Sequence, residues 1–73
     1  MKKYEVHLTN ARHALNAGNI EAYKRGMSAL IRSALSIKSR NYLINELVND
    51  GFTVNTLVTV GILDVTPKTI TKI

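Results

Sequence analysis

The stretch NIEAYKRGMSALIRSAL, Asn19 to Leu35, decides the fold, because Ile20, Tyr23, Met27, Leu30, Ile31, Ala34 and Leu35 recur at the spacing of one α-helix face. Asn19 stands directly before the first of them and is of the residue type that accepts hydrogen bonds from first-turn amides. Gly26 lies inside the pattern and costs about 1 kcal/mol relative to alanine, which predicts close approach by a second helix at that point.

Working outward, Tyr4, Leu8, Ala11 and Leu15 predict a preceding helix from about Tyr4 to Ala17, with a thin stripe rich in small residues. On the other side, Ser39 is placed to cap a third helix whose apolar face is Leu43, Ile44, Leu47 and Val48 and whose end is Asn49-Asp50-Gly51. A break is expected between Ser36 and Ser39. Met27, Leu30, Ala34, Ile37, Ile44 and Val48 also fit one face of a single continuous helix, interrupted only by Asn41. Gly18, Gly51 and Gly61 punctuate the chain, and Gly51-Phe52 and Gly61-Ile62 have the form of a left-handed helix stop followed by an apolar residue folding back.

The last third fits two periods. Phe52, Val54, Val58, Val60 and Ile62 alternate as in a strand, while Val54, Leu57, Val58 and Ile62 fit a helix. Thr53 after the glycine stop and Gly61-Ile62 at the far end favour a short fourth helix, although its β-branched content makes it a weak one. From Asp64 to Ile73 the expectation is an extended tail, with Thr66-Pro67 as a turn and Thr69 to Ile73 as an edge strand or a mobile end. The fold class is therefore all-α, one domain over residues 1–73: a compact bundle of about four short helices with 64–73 as an extended or mobile tail.

Composition narrows the function. The 73 residues hold one core near the size at which a core alone becomes marginal, and the absence of cysteine removes disulfides and thiolate metal clusters. Met1-Lys2-Lys3 has the look of a signal-peptide n-region, but Glu5, His7, Asn10 and Arg12 interrupt what would have to be an apolar stretch, and no run reaches the ~18 residues of a membrane span. A cytoplasmic setting without membrane insertion is expected. His7 and His13 diverge on a helix, so they do not share a metal; Glu46 and Asp50 lie one turn apart and form either an acid pair or a solvated edge. Ser28, Ser33, Ser36 and Ser39 have no His–Asp partners, nucleophile elbow or phosphate-cradling loop. No catalytic residue, metal site or cofactor is expected.

Ten Lys and Arg against five Asp and Glu give a formal charge of +5, which favours an anionic partner or an acidic protein surface. Glu21, Lys24, Arg25, Ser28, Arg32 and Ser36 lie opposite the apolar stripe of the second helix, and the basic run continues to Lys38 and Arg40. Tyr42 points away from the centre of the third helix's apolar face, beside Arg40, whereas Tyr4 and Tyr23 fall on apolar stripes as core-edge residues with hydroxyls reaching water. The expected partner-binding residues are Lys24, Arg25, Arg32, Lys38, Arg40 and Tyr42. Lys38 and Arg40 at the start of the third helix and Glu46 and Asp50 near its end oppose the helix dipole, so either partner contacts or a neighbouring helix must account for them. A helix-turn-helix laid over Leu47 to Val60 fits poorly, since its reading helix lacks Lys, Arg and Gln.

Ala14-Leu15-Asn16-Ala17-Gly18-Asn19-Ile20-Glu21-Ala22-Tyr23 resembles the inter-helix turn of a tetratricopeptide-type hairpin, for one hairpin only: Tyr23 falls where that motif wants a small residue, and no second copy follows. By brevity, charge and lack of motifs the chain is also similar, at class level, to small bacteriophage-encoded regulators that bind host machinery such as RNA polymerase. That similarity implies a non-enzymatic transcription regulator docking on a protein with an acidic surface. Two further readings stay open: a largely non-specific nucleic-acid binder using the same basic face, and a homodimer that buries the thin stripe and the β-branched tail.

Overall fold

The computed structural model describes residues 3–54 and 65–73. Three helices, α1 (Lys3–Asn16), α2 (Ile20–Ser33) and α3 (Ile37–Asn49), are followed by a short strand β1 (Phe52–Val54), a 3-10 turn over Pro67–Thr69 and a second strand β2 (Ile70–Lys72). The described chain is thus mainly helical with a two-stranded antiparallel sheet, in which Phe52 faces Lys72, Thr53 faces Thr71 and Val54 faces Ile70. Among the described residues no helix is long and apolar enough to cross a membrane.

α1 and α2 form an antiparallel hairpin. Gly18, at φ +83°, turns the chain, and the Asn19 side chain accepts a hydrogen bond from the Ala22 amide at 3.2 Å, as its residue type predicts. Gly26 explains itself here: a Cβ built on it would lie 3.3 Å from the Ala11 Cβ, so the two helices meet at their smallest residues.

The break between α2 and α3 comes slightly earlier than the sequence suggests. α2 stops at Ser33 and the cap of α3 is Ser36, whose hydroxyl accepts from the Ser39 amide at 3.1 Å; Ser39 is inside the helix. Ser36 takes the role because its extended backbone leaves its side chain facing the third helical amide, the geometry an N-cap requires. The early stop also moves Leu35 out of the apolar stripe: it is 103% exposed, and Ile20 at the other end of α2 is largely exposed as well.

The core consists of Leu8, Ala11, Tyr23, Met27, Leu30, Ile31, Leu43, Leu47, Phe52, Val65 and Ile70. One expectation about the C-terminal third needs correction. Thr53 does not cap a fourth helix, because Phe52–Val54 is strand β1; the remainder of that expected helix lies outside the described residues. The end of the chain takes the edge-strand form of its expectation, with the turn at Thr66-Pro67 and Ile70–Lys72 paired to β1, and it packs onto the core. Val65 and Ile70 are fully buried, and the Pro67–Thr69 turn packs against α2. The Thr69 hydroxyl accepts from the Thr66 amide at 2.9 Å and donates to the Thr66 carbonyl at 2.8 Å, locking the turn that aims Ile70 inward. Three helices with thin stripes leave part of the core uncovered, and the β-branched residues of the last segment complete it.

Candidate functional site

A partly buried polar cluster comes first, because it determines which charges remain outside. Arg12 of α1 donates from Nε to both carboxylate oxygens of Asp50, at 3.3 and 3.1 Å, and from Nη2 to Glu46 at 3.3 Å. Tyr23 of α2, fully buried, donates its hydroxyl to the same Asp50 at 2.8 Å, so its hydroxyl does not reach water as the sequence suggests. Asn49 adds a 3.4 Å bond to Glu46. Burial works against the Arg12 charge but is outweighed by its bonds to Asp50 and Glu46, which raise its pKa. Burial and the bond to Asp50 push the Tyr23 hydroxyl upward, and hydrogen bonding from the Tyr42 hydroxyl, aided by Asn49 and Arg12, lowers Glu46.

The cluster answers the question raised by the charges of α3. Its two acidic residues near the negative end of the helix dipole are compensated by a cation from a neighbouring helix, set where a cation is favourable. Glu46 and Asp50 are therefore neither a solvated edge nor a lone carboxylate pair. Arg12 carried no local signal, since its partners lie 34 and 38 residues away.

A pH dependence follows from the two shifts. Glu46 has a folded pKa below its unfolded value near 4.5, so its contribution is complete above that value and is lost as pH falls through the folded one. Tyr23 has a folded pKa above the ordinary 10.0, so its contribution is complete below about pH 10 and declines as pH rises towards the folded value. Unfolding midpoints in urea measured from pH 3 to pH 11 should show a plateau between these limits, and Tyr23→Phe should reduce the alkaline arm, to which Tyr42, raised by its bond to Glu46, also contributes, and leave the acid arm in place.

With Glu46 and Asp50 held internally, the outer surface keeps its cations. Arg25 and Arg32 are exposed, seven residues apart on one face of α2, while Lys24, turned by about 100°, is half-buried. Arg32 Nε reaches the Ser28 carbonyl at 3.4 Å. Ser28 itself is fully buried and donates to the Arg25 carbonyl, so it leaves the hydroxyl-rich face expected of it; burial on α2 extends further round the helix than the apolar stripe alone predicts. Lys38 is exposed on the first turn of α3, and Arg40 is half-buried, its Nε buried and without a hydrogen-bond partner. Tyr42 is 40% exposed, but it lies roughly 160° around α3 from Arg40, against the ring of Tyr4 at 5.6 Å between centroids. The geometry thus gathers Arg25, Arg32 and Lys38 around the outer face of α2 and the α2–α3 turn, and separates Tyr42 from them.

Sequence periodicity missed the apolar part of this surface. Leu35, on the α2–α3 turn, is 103% exposed and Ile37, the first residue of α3, is 76% exposed, and both lie between Arg32 and Lys38 in the chain. Beside Leu35 a hollow of about 400 Å³ is bounded by Tyr4, Leu30, Ala34 and Leu43 together with the polar His7, Ser33 and Ser39. Comparison of the chain with protein-family models, with curated proteins and with solved structures returns no match.

Proposed function

We propose that this chain is a non-catalytic, regulatory binding protein that docks on a partner protein through the α2–α3 turn and the adjoining outer face of α2. The observation that carries the reading is the pairing of two strongly exposed apolar side chains, Leu35 and Ile37, with the flanking cations Arg32 and Lys38. Isolated exposed apolar residues are ordinary, but two at one helix junction, Leu35 beside a hollow, make a patch of the kind that anchors a protein partner. The cations call for carboxylates on the other side and steer the encounter. A phosphate-binding face needs the cations alone, and its affinity would fall steeply with salt. The class-level similarity to small phage regulators makes transcription machinery, RNA polymerase included, the first target to test.

The test is capture of a partner on the immobilised protein, with and without nuclease and at two salt concentrations. A stoichiometric protein band that survives nuclease is expected, and recovery of nucleic acid lost at higher salt would replace this reading by the nucleic-acid one. Arg25→Glu together with Arg32→Glu should abolish capture while leaving the helical circular-dichroism signal intact. Leu35→Ser should weaken capture about tenfold or more. Its unfolding free energy should stay within about 0.5 kcal/mol of the parent, because the side chain touches no core.

A further inference from the structure

The meeting of Gly26 with Ala11 leaves a groove on the outside of the α1–α2 hairpin. Its walls are Ala14 from α1 and Ala22, Gly26 and Ala29 from α2, and it has a volume of about 450 Å³. His7, Leu30 and Ser33 line both this groove and the hollow at the α2–α3 turn, so the two adjoin and end at the exposed Leu35. Among the described residues no Lys, Arg, Asp or Glu lines either one. From Ala22 to Ala34 the channel follows α2 for roughly 18 Å, the length of about twelve helical residues.

Along the α2 side of this channel stand Arg25 and Arg32. At about 100° per residue both fall just outside Ala29 and Ser33, and their spacing of seven residues puts them roughly 10 Å apart along the axis. Ion pairs among the described residues are confined to Arg12, so neither arginine is ion-paired among them, and the exposed Glu21 is the one described acid on their flank.

We infer that the groove receives an amphipathic α-helix of the partner protein, its apolar face against the small residues of the floor and carboxylates about seven residues apart on the flank facing Arg25 and Arg32. The inference rests on the protein-docking reading above and specifies the partner's chemistry. Two features agree on a helix: adjoining hollows that together follow α2 for about three turns, and a floor of small side chains that lets a helix axis come close. Charge selects the acidic flank. A second copy of this chain does not fit, because Glu46 and Asp50 are held by Arg12 and the remaining described acids, Glu5 and Glu21, lie on different helices. Two copies would bring +5 against +5.

The probes are three labelled fourteen-residue peptides sharing one leucine–alanine apolar face: one with glutamates on its flank, one with lysines there, and one acidic with a central proline. Fluorescence anisotropy against the full chain should show the acidic helix binding about tenfold tighter than the other two, with amide shifts on titration confined to the α1–α2 groove and the α2–α3 turn. Arg25→Glu with Arg32→Glu should reverse the order of the acidic and basic peptides. Ala29→Gln, an exposed substitution that narrows the groove, should weaken the acidic peptide about tenfold with circular dichroism unchanged. Equal binding of the acidic and basic peptides, undiminished binding of the proline peptide, shifts located elsewhere, or no binding of the acidic peptide at about 1 mM would each overturn the inference, as would a dimer by sedimentation that buries the groove. If capture of a nuclease-resistant partner is sensitive to Leu35→Ser while the peptides show no preference, the groove inference fails and the docking reading stands. Loss of all captured protein on nuclease treatment removes both.

Discussion

Replacing Ile70 by alanine should lower the unfolding free energy by about 2–5 kcal/mol, the cost of emptying a buried aliphatic site. Ile70 is fully buried, pairs with Val54 across the β1–β2 ladder, and follows the Thr66–Thr69 turn that directs it inward. A domain of this size has roughly 4–11 kcal/mol in total, so the variant would lose a large share and show a visibly lower urea midpoint. Ile73→Ala is the matched control: that side chain is 76% exposed, and its loss should change stability by less than about 0.5 kcal/mol. Equal midpoints for the two variants would show that the last segment is a tail after all.

The second large effect is expected at Asp50. Its carboxylate accepts from Arg12 twice and from the buried Tyr23 hydroxyl, so Asp50→Ala strands a donor that water does not reach. The expected loss is about 2–3 kcal/mol, most of it from the unsatisfied tyrosine, because Arg12 is partly exposed and its ion pair is screened. Tyr23→Phe alone should cost about 1 kcal/mol, and the double variant less than the sum of the two, since both remove one hydrogen bond. Urea denaturation of the four proteins measures the coupling; strict additivity would mean that the 2.8 Å bond does not form in solution.

Both results bear on how the molecule binds. The Arg12 cluster joins α1, α2 and α3 at one end of the hairpin, and by holding Glu46 and Asp50 it leaves Glu21 as the one described acid on the outer face of α2, against Arg25 and Arg32. The surface proposed for docking is therefore linked to the core by charge, although no residue of the cluster belongs to that surface.

Legibility follows distance along the chain. Asn19, Gly18, Gly51 and the stripe of α2 act within one or two turns, and each behaves as its residue type predicts: Asn19 caps, and the two glycines take positive φ. Arg25, Arg32 and Lys38 are legible as surface cations for the same reason, since the stripe that faces inward names the face that does not. Leu35 is the instructive exception. Its spacing from Ile31 belongs to the stripe, but Ser36 begins a new helix and the stripe ends before it.

By itself the sequence determined the helices α1, α2 and α3, the Asn19 cap, the turns at Gly18 and Gly51 and the close contact at Gly26, because each is set by neighbours a few residues apart, whereas the caps it offered at Ser39 and Thr53 did not form. Only the tertiary structure decided that Arg12 would neutralise Glu46 and Asp50, that Ile70 would meet Val54, and that Leu35 and Ile37 would stand exposed, Leu35 beside a groove. Those outcomes depend on which faces three packed helices leave uncovered, and periodicity along one segment carries no information about the others.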